Sequence, residues 1–190
     1  NAAVIITPIE NAFLRAQIGW DVGTQTFETS THPYFSASNN GVGEYNIVKS
    51  DFSDPTVYIL AGYNKQLGKL QVSGQVGYHQ MENAVNRVAS YGSNFLVTDF
   101  QSINNTSTDT QVSTKRSTRR RIQAISGQVE FAYNNLAFIT VRARNDWSST
   151  LPVANNSYFY PAVEGAFVVS DLPFLAIANN TLNYLKLRGA

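Results

Sequence analysis

Arg142, Arg144 and Asp146 stand at every second position, with Trp147 next to them. In an extended chain alternate side chains share a face, so the three charged groups form one row. Guanidinium and carboxylate groups hydrogen-bond sugars or peptide termini, and an indole stacks on sugar rings. Tyr158 and Tyr160 have the same spacing and fit a binding platform. The plainer reading of all five polar residues is wall packing, with the charges paired to neighbouring strands. A second cluster is the basic run Lys115, Arg116, Arg119, Arg120 and Arg121. It fits contact with an anionic surface or partner, or a solvated loop base. The net charge of +1 gives no global field for nucleic acid.

Other chemistries find no support. There is no Cys, which excludes thiolate metal sites and thiol nucleophiles, and the two His, His32 and His79, cannot build a His-rich metal centre. His79 lies near Glu82, but no Ser at strained-turn spacing accompanies it. Asp99 and Asp109 have no partner pattern. Gly41-Val42-Gly43 lacks the Lys-Ser/Thr and the helix of a phosphate loop. The triplets at Asn104, Asn105, Asn155 and Asn179 read as polar loops. The expectation is a chain without catalytic residues, cofactor or metal.

The elements that must position these groups are strands. Leu70, Val72, Gly74, Val76 and Tyr78 alternate with Lys69, Gln71, Ser73, Gln75, Gly77 and His79. One face is then apolar and the other polar. The pattern recurs and predicts about seven strands, at 13–29, 43–64, 69–82, 119–134, 136–148, 157–170 and 182–190. Pro55 cannot donate to a ladder and suggests a bulge. Asn64–Lys69 and Tyr133–Leu136 read as tight hairpins. Thr29–Val42, Glu82–Thr118 and Ser148–Asn156 read as long loops.

Composition bears on what covers the apolar face. Charged residues make up only 14% of 190 residues, while aromatic residues make up 12%. Low charge with many aromatics suits lipid on one face, as does a polar face of Gln, Ser, Thr and Gly. No apolar run is long enough for a membrane helix. Short turns alternating with long loops describe an all-β, antiparallel up-and-down transmembrane barrel, with the short turns periplasmic. On this reading Val72, Val76, Val129, Ile139, Val141 and Phe167 face lipid. Gln71, Gln75, Gln128, Glu130, Arg142 and Glu164 face the lumen. Trp20, Tyr78, Tyr133 and Trp147 anchor at the interfaces. A secreted β-sandwich carbohydrate-binding module and a plain porin are the competing readings. Seven strands cannot close, so a piece of a larger barrel is expected.

Three segments carry a resemblance. They are Arg144-Asn-Asp-Trp-Ser-Ser-Thr-Leu-Pro152, Asn155-Asn-Ser-Tyr-Phe-Tyr-Pro161 and Phe167-Val-Val-Ser-Asp-Leu172. Together they resemble a signature stretch of the SusC/RagA family of TonB-dependent transporters. Tyr63–Gly68, Arg121–Tyr133 and Leu185–Ala190 fit the same order. Val163-Glu164-Gly165-Ala166 departs from the more Ser-rich run expected there. The resemblance implies a barrel of about 22 strands with an N-terminal plug. It implies an outer-membrane location and import of glycans or peptides. It further implies a SusD-like surface lipoprotein as partner and the TonB complex as the energy source. Residues 1–190 would be part of the barrel wall, with the plug and TonB box outside them.

Overall fold

A computed structural model describes residues 1–35, 41–172 and 184–190. Eight strands form one sheet in sequence order, each beside its neighbour. They are β1 (Ala2–Ile6), β2 (Ala12–Thr31), β3 (Glu44–Leu67), β4 (Leu70–Ser93), β5 (Val112–Tyr133), β6 (Ala137–Ser148), β7 (Ser157–Val168) and β8 (Lys186–Gly189). Short 3-10 turns at Pro33–Phe35, Ile103–Asn105, Val153–Asn155 and Val169–Asp171 are the only helical pieces among the described residues.

The strand count differs from the sequence reading by β1. Ala2–Ile6 is a continuous apolar run with no alternation, so period two does not reveal it. It pairs with β2 from Ala2 opposite Ile18 to Ile6 opposite Leu14. The expected 82–118 loop is also shorter. β4 continues to Ser93 and β5 begins at Val112, leaving a connection of 94–111. Beyond Tyr78 neither face of these strands is apolar, so the period-two signal fades while the backbone ladder continues. β3 passes through Pro55 as one strand, Glu44–Leu67. Ser53 before Pro55 meets Trp20, which shares the apolar row of Leu14, Ala16 and Ile18 on β2. The facing is therefore kept across the proline. At the far end 182–183 fall outside the described residues, as do 36–40 of the 29–42 loop and Asn179.

The turns explain themselves locally. β3 extends to Leu67, so the hairpin turn narrows to Gly68-Lys69, with Gly68 at φ +61°. Asn134 and Asn135 both take positive φ, 51° and 56°. Two left-handed residues give the twist that a two-residue hairpin requires, and Asn tolerates them best after Gly. Asn134 N–H donates to the Lys69 carbonyl at 2.7 Å, which puts both tight turns at the same strand ends. Val168 N–H donates to the Leu136 carbonyl there too. The β7–β8 connection, 169–185, is therefore a long one at the short-turn end, an exception to the expected alternation.

The chain divides into two compact units. One comprises Asn1–Gly19, Thr56–Met81 and Arg121–Ala190, and the other comprises Trp20–Pro55 and Glu82–Arg120. In the first, a single layer of strands carries an apolar face that no described residue covers. Among the described residues of the chain, the buried apolar ones are Ala124, Ala132 and Val168. Val76 is 55% exposed, Ile139 54% and Val163 62%. A β-sandwich would bury this face against a second sheet, so the sandwich reading is set aside.

The second unit is held at its loops. Asn94 N–H donates to the Gly43 carbonyl and Phe95 N–H to the Val42 carbonyl. A Cβ on Gly43 would stand only 2.7 Å from the Phe95 ring, and Gly43 takes φ +77°, so this position requires glycine. Asn105 is 4% exposed and closes the 94–111 loop. Its side chain accepts from Val97 N–H and donates to the carbonyls of Val97 and Phe100.

Candidate binding wall

The β5–β6–β7 register fixes which side chains share a face. Arg142 stands between Gln128 and Ala162, Arg144 between Ser126 and Tyr160, and Asp146 between Ala124 and Tyr158. Residues directly opposite in an antiparallel pair point to the same side. The five residues singled out in the sequence therefore lie together on one face. The opposite face carries Val129, Val141 and Val163 in one row, and Phe131, Ile139 and Gly165 in the next.

The charges on the polar face are partnered. Arg142 donates to Glu164 at 2.7 Å across the β6–β7 pair. Arg144 donates through Nε to Asp146 at 2.6 Å along the same strand. Thr140 is 6% exposed and donates to Glu130. Both arginine side chains remain close to half exposed, and each guanidinium has further N–H donors to offer. Tyr158 and Tyr160 present their rings alongside. Tyr58, Gln75, Ser126, Gln128, Arg144 and Tyr160 line a shallow depression on this face. Nearer the tight turns Lys186 sits over the Phe138 ring at 4.6 Å. The wall can thus hold a polar ligand with guanidinium, phenol and amide groups. Among the described residues no cluster of His, Asp or Glu could hold a metal ion.

Sequence reasoning missed Glu164 as the partner of Arg142, and Tyr58 and Gln128 as neighbours. Their parity was legible, but the cross-strand register was not. For Glu164 that register depends on where the 148–156 loop turns, and for Gln128 on the Asn134-Asn135 hairpin.

The apolar face ends in a polar band. Gln123 donates to the Tyr78 hydroxyl at 2.8 Å and to Gln80 Oε1 at 3.0 Å, while Tyr78 donates to Gln80. Trp147 is directly opposite Gln123 and Ser157. Beside them, Asn145 donates to Ser157 Oγ at 2.9 Å. Trp20 donates from its indole nitrogen to Ser53 at 2.9 Å. Tyr133, also exposed, closes the apolar run at the tight-turn end. From Tyr133 to Gln123 is about ten residues, which at about 45° of tilt rise about 23 Å, close to the apolar height of a barrel in lipid.

Beyond this band the strands carry paired charges. Arg119 meets Glu82 at 3.1 Å, and Glu82 is 8% exposed. Tyr91 donates to Glu44 and Tyr45 to Glu28. Burial first, and then the carboxylate partner, hold both phenols above their usual pKa.

No family model matches the chain. A curated relative, the TonB-dependent receptor P26 of Formosa agariphila, is 22% identical over 131 residues, 67% of this chain. Among solved structures, the RagAB peptide transporter superimposes with a TM-score of 0.85 over 98% of the chain, at 18% identity. The RagAB peptide importer in its closed-closed and open-open states gives TM-scores of 0.85 and 0.84, again at 18% identity. The chain has the fold of a SusC/RagA-like transporter barrel. It is a portion of that fold, because it spans 13% of the curated relative and 20–21% of the solved chains. The uncovered apolar face and the polar wall are the two sides of such a barrel sheet.

Proposed function

We propose that the chain is part of the wall of a SusC-like, TonB-dependent outer-membrane transporter. Such a transporter imports glycans or peptides together with a SusD-like surface lipoprotein, and the TonB complex acts through parts outside these residues. The observation that carries this reading is the two-faced single sheet, apolar on one side and lined by Arg142, Arg144, Tyr158 and Tyr160 on the other, in a barrel-wall fold. In this reading the apolar rows face lipid and the Arg–Tyr face lines the lumen. Trp20, Tyr78, Tyr133 and Trp147 sit at the interfaces. The polar wall positions substrate or the plug; it does no chemistry on either.

The test uses the full-length protein. It should fractionate with the outer membrane, require detergent for extraction and co-elute with a surface lipoprotein. Deleting its gene should abolish growth on one class of oligosaccharide or peptide, and removing TonB should have the same effect. A protein that stays monodisperse in buffer alone refutes the membrane reading. Growth unaffected by TonB refutes energised import and leaves a porin.

A further inference from the structure

The β5 strand has an edge that no described strand covers along part of its length. β6 pairs with β5 only from Ser148 opposite Ile122 downward. One residue further, the Arg121 carbonyl accepts from Ser149 N–H at 2.9 Å, and Arg121 N–H donates to Ser149 Oγ at 2.8 Å. There the pairing stops, and β5 runs on to Val112. Its other edge is occupied by β4, where Ser90 and Ser113 hydroxyls meet at 2.8 Å. In an antiparallel ladder, alternate residues send both N–H and C=O to the same side. Arg121 sends both toward the β6 side. Arg119, Ser117, Lys115 and Ser113 therefore send theirs to that same side, where no described strand receives them. All residues from Val112 to Arg121 are exposed.

This edge is strongly basic. Lys115, Arg119 and Arg121 lie on the Glu82 face, and Arg116 and Arg120 on the other. A long open edge is a template for another strand. The charge decides which strand. A second copy of this edge would bring basic rows together and repel itself, as would any basic strand. An acidic one meets Lys115 and Arg119 on one face and Arg116 on the other, with Arg120 and Arg121 next in line. Anionic lipid would use only the side chains on one face and none of the backbone groups. The geometry points to an extended acidic segment of a partner protein, docked by strand addition along Ser113–Arg119. The inference rests on the strand edge and stands or falls separately from the import reading.

The probe is a fluorescein-labelled peptide of about ten residues with alternating Glu and Val, titrated by anisotropy against the detergent-purified full-length transporter. Saturable binding is expected, with slowed amide exchange over 113–119. Ser117→Pro removes a donor from the open edge and none from the β4 side, and it should weaken binding at least tenfold. Ser117→Ala should leave binding unchanged. Arg116→Glu with Arg120→Glu should lose the acidic peptide and gain a Lys/Val counterpart, which reads the edge even if the proline variant fails to assemble. A wild type that ignores the acidic peptide overturns the inference. So does a folded Ser117→Pro variant that binds it normally. Loss of co-purified lipopolysaccharide phosphate in the double variant, without any peptide binding, assigns the cluster to lipid instead.

Discussion

At the scale of single residues, facing sets the cost of a substitution. Val129 and Gln128 are neighbours on β5, yet they belong to opposite faces. A charge on the lipid face near the midplane costs about 2–4 kcal/mol, and on the lumen face little. Val129→Arg should lower folding stability in vesicles by that amount in a urea titration, while Gln128→Arg should leave the midpoint nearly unmoved. Equal effects would mean the faces are misassigned. A second prediction concerns Asn105, whose amide satisfies three backbone groups of the 94–111 loop. Asn105→Ala leaves those groups unpartnered at about 1–3 kcal/mol each when buried. Proteolysis of intact cells should then cut this loop selectively, with the barrel still assembled. The parity of Val129 and Gln128 was readable in the sequence because apolar and polar residues alternate strictly there. The role of Asn105 was not. It appeared only as a polar loop triplet, and its importance comes from the turn folding back on Val97 and Phe100.

At the scale of elements, the strands divide into a part the sequence announces and a part it hides. Between the tight turns and the Tyr78–Gln123 band, an apolar side chain recurs at every second position, so the period is plain. Above the band both faces are polar. β4 and β5 then persist through backbone pairing and contacts such as Arg119–Glu82 and Ser90–Ser113, which have no period. β1 hides for the opposite reason, being apolar throughout. The Asn134-Asn135 hairpin was visible as a dipeptide, and its two positive φ angles say what it does. An L-residue other than Asn or Gly in the left-handed region costs about 1–2 kcal/mol. Asn135→Gly should therefore hold or raise the rate of barrel assembly, and Asn135→Val should slow it, followed by the heat-modifiable shift on gels. If the valine variant assembles as fast as wild type, the turn does not set the β5–β6 register.

For the whole molecule, the orientation in the membrane follows from where the strands outrun the apolar band. On β5 the band occupies about ten residues next to Tyr133, and the strand then continues through Arg121 to Val112, a stretch carrying five basic residues. Basic, hydrated ribbons and a built loop at 94–111 fit the outer side, where long loops of such barrels lie. The tight turns Gly68-Lys69 and Asn134-Asn135, joined by the Asn134–Lys69 hydrogen bond, then face the periplasm. The long 169–185 connection falls at the same end, so loop length alone does not decide the matter; the extent of strand beyond the band does. The 190 residues contain no Cys, which makes an introduced thiol a clean reporter within them. Thr108 is exposed in the outer loop and Lys69 is exposed in a tight turn. A membrane-impermeant maleimide applied to intact cells should label Thr108→Cys and spare Lys69→Cys, with both labelled after lysis. Labelling of Lys69→Cys alone in intact cells would invert the molecule. It would place the basic β5 edge in the periplasm, and its acidic partner would then be sought there.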